Sequence, residues 1–190
     1  MHPSTSAWPA LLIIDMQHGM ADPALVRNNP MAEDNIARLL EAWRGKGATV
    51  VHVRHMSRTP GSPFWPGQAG AGFQERFAPR DDAHVVEKNV PDCFIHSGLE
   101  RWLRVRGIDA LAIVGVSTNN SVEASARTAG QLGFAVRVLS DATFAFAGND
   151  YAGTPRSADE VHLMALANLD GEYATVIDTA GLLASLPQQY

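Results

Sequence analysis

Six short apolar runs, spaced so that helical stretches fall between them, constrain this chain more than any other feature of its sequence. They are Ala10 to Ile14, Ala48 to Val53, His84 to Val86, Leu111 to Val114, Ala135 to Leu139 and Ala174 to Ile177. A strand with one face in water alternates apolar and polar residues, whereas a continuous run suits a parallel strand covered on both faces by helices. Parallel neighbours need crossover connections. Met31 to Lys46, Ser97 to Arg106, Asn119 to Leu132 and Ala158 to Leu169 carry apolar residues at helical spacing where those crossovers belong. Gly47, Gly107 and Gly133 follow three of these stretches, in the position that closes a helix in the left-handed conformation. Ser157 and Glu160 have the spacing of a capping box ahead of the fourth. The pattern is that of an α/β protein with a parallel sheet.

A chain of 190 residues suits one domain over its whole length, 1–190. The alternation is broken by Arg58 to Asp82, RTPGSPFWPGQAGAGFQERFAPRDD, which is too long for an ordinary connection. Phe64, Trp65, Phe73 and Phe77 give this segment apolar material with which to cover something, so a lid or a subunit contact is expected over 58–82. A second loop runs from Gly148 to Arg156. With 15 Lys and Arg against 20 Asp and Glu, a net charge of -5, the chain has no basic field for a phosphate backbone, and no nucleic-acid partner is expected. The opening MHPSTSAWPALLIIDMQ has no cationic segment, and Asp15 cuts its apolar run far short of the roughly 20 residues of a membrane span. A cytoplasmic protein without membrane attachment is expected. The single cysteine, Cys93, can form neither an internal disulfide nor a thiolate metal site by itself.

In open parallel sheets, ligands bind beyond the carboxyl ends of the strands, where strand order reverses. The first run ends in Asp15, the third leads to Lys88, and the fourth enters GVSTNNSVEASAR. A carboxylate and an ammonium that meet a hydroxyl in one crevice can tune a proton transfer. Ser121 falls in the expected first turn of the third helix, beside unpaired backbone N–H donors that can stabilise an anion. Each residue also has a structural reading. Asp15 suits a turn, Lys88 a solvated surface, and Ser, Thr and Asn at a helix start commonly cap it. Asn119 and Asn120 divide in the same way between capping and substrate contact.

Taken together, ALLIIDMQ, Lys88 and GVSTNNSVEASARTAGQLGF, followed by SDATFAF, resemble the isochorismatase-like cysteine hydrolase superfamily, its amidase-type branch in particular. The resemblance runs along nearly the whole chain. It implies a doubly wound, three-layer α/β/α fold on a six-stranded, mainly parallel sheet. In that scheme Asp15 is the general acid-base, Lys88 holds and polarises the site, and position 121 carries the nucleophile. It also implies a cis peptide between Val116 and Ser117 that aims the following N–H groups, with that of Ser121, at the oxyanion. The relatives open small amide, lactam, ureide or imide C–N bonds without a cofactor, and they pair or assemble further, so a homo-oligomer, dimer or tetramer, is expected. Gln17, Phe64, Trp65, Ser117 and Asn120 are the expected substrate contacts, together with Arg54, His55 and Ser57 near the end of the second strand.

The sequence departs from the pattern at position 121, where serine stands in place of the family's cysteine. A thiol ionises readily beside positive potential, whereas a hydroxyl needs a well-placed base. Three readings stay open: a thiol exchanged for serine to hold a substrate, a natural serine nucleophile, and chemistry without a covalent intermediate. The last has its precedent in the vinyl ether hydrolysis of the family's namesake. A binding homologue without catalysis is a further alternative. Cys93, five residues after Lys88, is expected to pack rather than react. No metal is expected: His52 and His55 fall on opposite faces if the strand continues, and the Asp-x-His-x-x-His cluster of metal-dependent relatives is absent. His52 suits a core or interface. Trp8, Phe94 and Phe144 suit the core.

Overall fold

The computed structural model describes residues 8–81 and 83–187. In chain order its elements are β1 (Ala10–Ile14), α1 (Ala32–Lys46), β2 (Val50–His55), β3 (His84–Lys88), α2 (Leu99–Val105), β4 (Ala110–Val116), α3 (Glu123–Gln131), β5 (Ala135–Phe144), β6 (Gly148–Asn149), β7 (Pro155–Arg156), α4 (Ala158–Leu169), β8 (Thr175–Ile177) and α5 (Thr179–Ser185). Six strands form one sheet in the order β3-β2-β1-β4-β5-β8, and all of its pairings are parallel. From β1 the chain winds outward through β2 and β3; from β4 it winds the other way through β5 and β8. The reversal lies between β1 and β4, which opens a crevice at their carboxyl ends.

The continuous apolar runs are explained by burial on both faces. Along β1, Leu12 and Ile14 join one core with Leu99 and Leu103 of α2, Ala126 and Ala129 of α3, and Leu166 and Leu169 of α4. Leu11 and Ile13 join the opposite core with Ile36, Leu39, Leu40 and Trp43 of α1 and Leu182 of α5. Trp43 meets Trp8 edge-on at 4.7 Å, and its indole N–H donates to the Pro9 carbonyl at 2.7 Å, so a large ring is buried without an unpaired polar atom. Phe94 and Phe144 are buried, one in each core.

The expected elements are present, with informative shifts. Gly47 takes the left-handed conformation and Ala48 still bonds back to Trp43, so β2 starts at Val50 rather than Ala48 and extends to His55. The capping box of Ser157 and Glu160 is formed, and α4 has its expected bounds. Loop Gly148 to Arg156 carries the small β6–β7 hairpin. The sequence reading missed α5, a seven-residue helix that begins at an Asp178 side chain accepting from the Gly181 N–H. It also ended the fifth strand at Leu139, whereas β5 continues to Phe144 through a bulge that shifts its register against β4 after Ile113. The carbonyls freed by that bulge are taken up by side chains: Asn29 Nδ2 donates to Ser140 and Thr143, and Asn35 Nδ2 donates to Asp141.

At the reversal, β1 and β4 approach more closely than side chains allow. Gly115 has φ 117°, and a Cβ there would stand 2.1 Å from the Ile14 carbonyl oxygen. Gly45, inside α1, has nothing within 4 Å of a would-be Cβ. Gly115→Ala should therefore cost about 3 kcal/mol or more, while Gly45→Ala should stabilise by about 0.5–1 kcal/mol through helix propensity. Denaturant unfolding of the two variants against the parent reads the opposite signs.

Candidate active site

Three strands deliver the site. Asp15 follows the last residue of β1 with φ 53°, a left-handed conformation uncommon outside glycine, and its N–H is held by the Val53 carbonyl at 2.9 Å. Lys88 ends β3, level with His55 of β2. Ser121 lies in the connection after β4, within Thr118–Val122. Lys88 Nζ donates to Asp15 Oδ2 at 2.7 Å and to Ser121 Oγ at 3.1 Å. All three residues are buried: 1% exposed for Asp15, 3% for Lys88 and 6% for Ser121. Asp15 Oδ1 has no hydrogen-bond partner among the described residues. Burial pushes the Asp15 carboxyl above its ordinary range, opposed by the charge and donation of Lys88 and by the Ser121 hydroxyl. The site thus holds a desolvated acid with one oxygen uncommitted and a cation shared with a hydroxyl.

Ser121 stands in a different turn from the one its sequence suggests. Instead of the first turn of a regular α-helix, Thr118–Val122 is a π-helical turn. The Val122 N–H reaches back five residues to the Ser117 carbonyl at 3.2 Å, and the Asn120 N–H bonds the same oxygen at 3.0 Å. The Val116–Ser117 peptide is cis. Thr118 Oγ1 and His162 Nδ1 of α4 are 2.8 Å apart, and His162 Nε2 lies 3.1 Å from the Ser140 carbonyl. A ring that must donate to that carbonyl leaves Nδ1 to accept from the threonine hydroxyl. Burial keeps His162 below its ordinary pKa, consistent with this neutral form. His162 therefore anchors the turn that carries Ser121. Sequence reasoning missed it: a lone histidine in an apolar helix gives no sign of its distant partner.

The other expected contacts separate. Gln17 is fully buried and its amide is committed. Nε2 donates to the carbonyls of His55 and Ala71, both at 2.9 Å, and Oε1 accepts from the His55 N–H at 2.8 Å. The expectation that it touches substrate is corrected: Gln17 ties the end of β1 to the end of β2 and to segment 58–82. That segment is stitched down further by bonds from His18 N to the Gly72 carbonyl and from Gln74 N to the Met16 carbonyl. Phe77 is buried in the core rather than held over the crevice. Phe64 is half-buried and edge-on to His55, with ring centroids 6.1 Å apart; Trp65 beside it is also half-buried.

Ser117 is half-buried, while Asn119 and Asn120 are exposed. His55 is near enough to feel the charges of both Asp15 and Lys88, and burial followed by Lys88 lowers its pKa. Arg54, on the other face, pairs with Glu87. Ser57 is buried, and its Oγ accepts from the Thr59 N–H. Cys93 is fully buried and its thiol is pushed up to about 12, mainly by desolvation, which makes it inert as a nucleophile at neutral pH. His52 turns away from the site toward Phe73. Among the described residues, no three His, Cys, Asp or Glu side chains cluster as metal ligands.

The fold and the order of its elements have known counterparts. The isochorismatase domain model matches residues 9–181. The chain belongs to the isochorismatase family. An isochorismatase-family protein from Chromobacterium violaceum superposes with a TM-score of 0.91 at 48% identity, covering 96% of this chain and 94% of that one. The isochorismatase family protein YrdC of Bacillus subtilis is 38% identical over 92% of this chain and 94% of its own length. More distantly, maleamate amidohydrolase of Pseudomonas putida is 27% identical over 89% of this chain and 82% of its own. The isochorismatase family is one of hydrolases, and some of its members act on amide C–N bonds.

Removing one charge of the buried pair leaves the other uncompensated. Lys88→Met should destabilise the fold by about 3–5 kcal/mol, and adding Asp15→Asn should recover much of that loss. Chemical denaturation of the single and double variants measures both.

Proposed function

We propose that this isochorismatase-family chain hydrolyses the C–N bond of a small amide, lactam or ureide, with Ser121 as nucleophile, Asp15 as proton carrier and Lys88 as the fixed charge between them. The observation that carries the reading is the single buried ammonium bonded at once to Asp15 Oδ2 and Ser121 Oγ. The family's amidohydrolase member supports the reaction class.

In this scheme the Ser121 hydroxyl passes its proton to Asp15 as Oγ bonds the carbonyl carbon. Lys88 steadies the developing alkoxide, and N–H groups at the start of the π-helical turn receive the carbonyl oxygen as it becomes an anion. Collapse of the tetrahedral adduct breaks the C–N bond, and Asp15 returns the proton to the departing nitrogen. Water then gives a proton to Asp15 and attacks the ester. The acid leaves, and Ser121 Oγ recovers its proton. The desolvated carboxyl suits both halves, because a proton carrier works best when its pKa lies near the working pH. His55, Phe64 and Trp65 line the approach.

The raised Asp15 carboxyl would equally serve acid-assisted hydrolysis of a vinyl ether, which needs no Ser121. An amide panel that includes maleamate, a cyclic imide and a ureide separates the readings, with isochorismate run alongside. Ammonia or amine release is expected from at least one amide. Asp15→Asn and Ser121→Ala should each lower it by at least about 100-fold, the scale of general acid-base catalysis, and Ser121→Cys should retain or raise it. Pyruvate release that survives Ser121→Ala would replace the amidase reading with the vinyl ether one.

The acid limb of the kcat/KM profile should reflect ionisation of Asp15. Activity should therefore fall on acidification at a pH above the ordinary carboxylate range, because the raised carboxyl takes up its proton earlier. A limb at or below pH 4 would contradict the assignment.

A further inference from the structure

At the opposite end of the sheet, a cavity of about 380 Å³ wraps the amino ends of β2 and β3. Its walls include Arg44 from the end of α1, Arg80 before β3, Arg106 after α2, and the two histidines His52 and His84. Among the described residues, no Asp or Glu lines it, and none of the three arginines is paired with a carboxylate. In a chain of net charge -5, this is a local concentration of cations. The arginines are close enough to act on their neighbours. Arg80 disfavours the charge of Arg44, Arg44 disfavours a proton on His52, and Arg106 does the same to His84.

His52 closes one wall of the cavity: it is 1% exposed, its ring nitrogens are shut off from solvent, and the Phe77 backbone favours its proton. On the other wall, His84 stacks on Trp102 at 3.8 Å, and Arg106 lies over the same indole at 3.9 Å, so this guanidinium is held in place.

We infer that this cavity is a binding site for a phosphate-type oxyanion, free or as the phosphoryl end of a small molecule, held by Arg44, Arg80 and Arg106. Guanidinium forks match the oxygens of phosphate. The site stands apart from the hydrolytic one. β2 and β3 each run from this cavity, at Val50 and His84, to the active crevice, at His55 and Lys88. Occupancy here therefore leaves the crevice open to substrate.

The test is isothermal titration of the full chain with inorganic phosphate and with pyrophosphate, in a chloride buffer. Saturable one-site binding is expected, tighter for pyrophosphate. Loss of each charge-assisted partner should weaken it about tenfold, so Arg80→Ala/Arg106→Ala should weaken it well beyond that. Both side chains are exposed, and circular dichroism verifies that the variant is folded. Asp15→Asn, altered at the active site and verified as folded in the same way, should bind as the parent does. No saturable heat with either anion would overturn the inference. So would binding that survives loss of both arginines, or binding lost in Asp15→Asn.

Discussion

The contact between Lys88 and Asp15 governs this molecule. Two opposite charges are drawn wholly out of water, at a desolvation cost that only close geometry and further hydrogen bonds offset. The fold provides both. Parallel pairing through β2 brings the end of β3 near the end of β1, and the second bond of the ammonium goes to a hydroxyl delivered by the connection after β4. The pair is therefore a structural weak point and a chemical resource together. It holds a carboxyl at raised pKa with one oxygen free, beside a hydroxyl bonded to the same ammonium.

The rest of the architecture keeps that contact in register. Gly115 lets β4 close on β1 where any side chain would collide with the Ile14 backbone. The Gln17 amide binds the β2 end and segment 58–82 to the β1 end, so that segment is fastened to the same residues that position Asp15. On the far side, His162 fixes Thr118 and the bulged carbonyl of Ser140, coupling α4 and β5 to the turn that carries Ser121. Each of these residues fixes the position of Asp15, Lys88 or Ser121 without joining the trio itself.

Much of this was legible in the sequence because it depends on local pattern. Continuous apolar runs report strands buried on both faces, glycines and the Ser157–Glu160 pair report helix ends, and the strand-tip positions of Asp15, Lys88 and Ser121 follow from the fold type. What escaped depends on long-range partners. Gln17 reads as a polar residue beside a site until its amide is seen to be saturated by residues 38 and 54 positions away. The π-helical turn, the β5 bulge and the role of His162 arise from hydrogen bonds between segments with no sequence periodicity in common. The convergence of Arg44, Arg80 and Arg106 on one cavity is likewise invisible until the segments that carry them are placed.

The most direct measurement of the central claim is chemical labelling of the hydroxyl itself. After treatment with a small fluorophosphonate, intact-mass and peptide mapping should find one adduct, on Ser121, and find it sharply reduced in Asp15→Asn and in Lys88→Met. An unlabelled Ser121, or one labelled equally well without its carboxylate and ammonium neighbours, would mean that the buried trio does not act as a reactive unit.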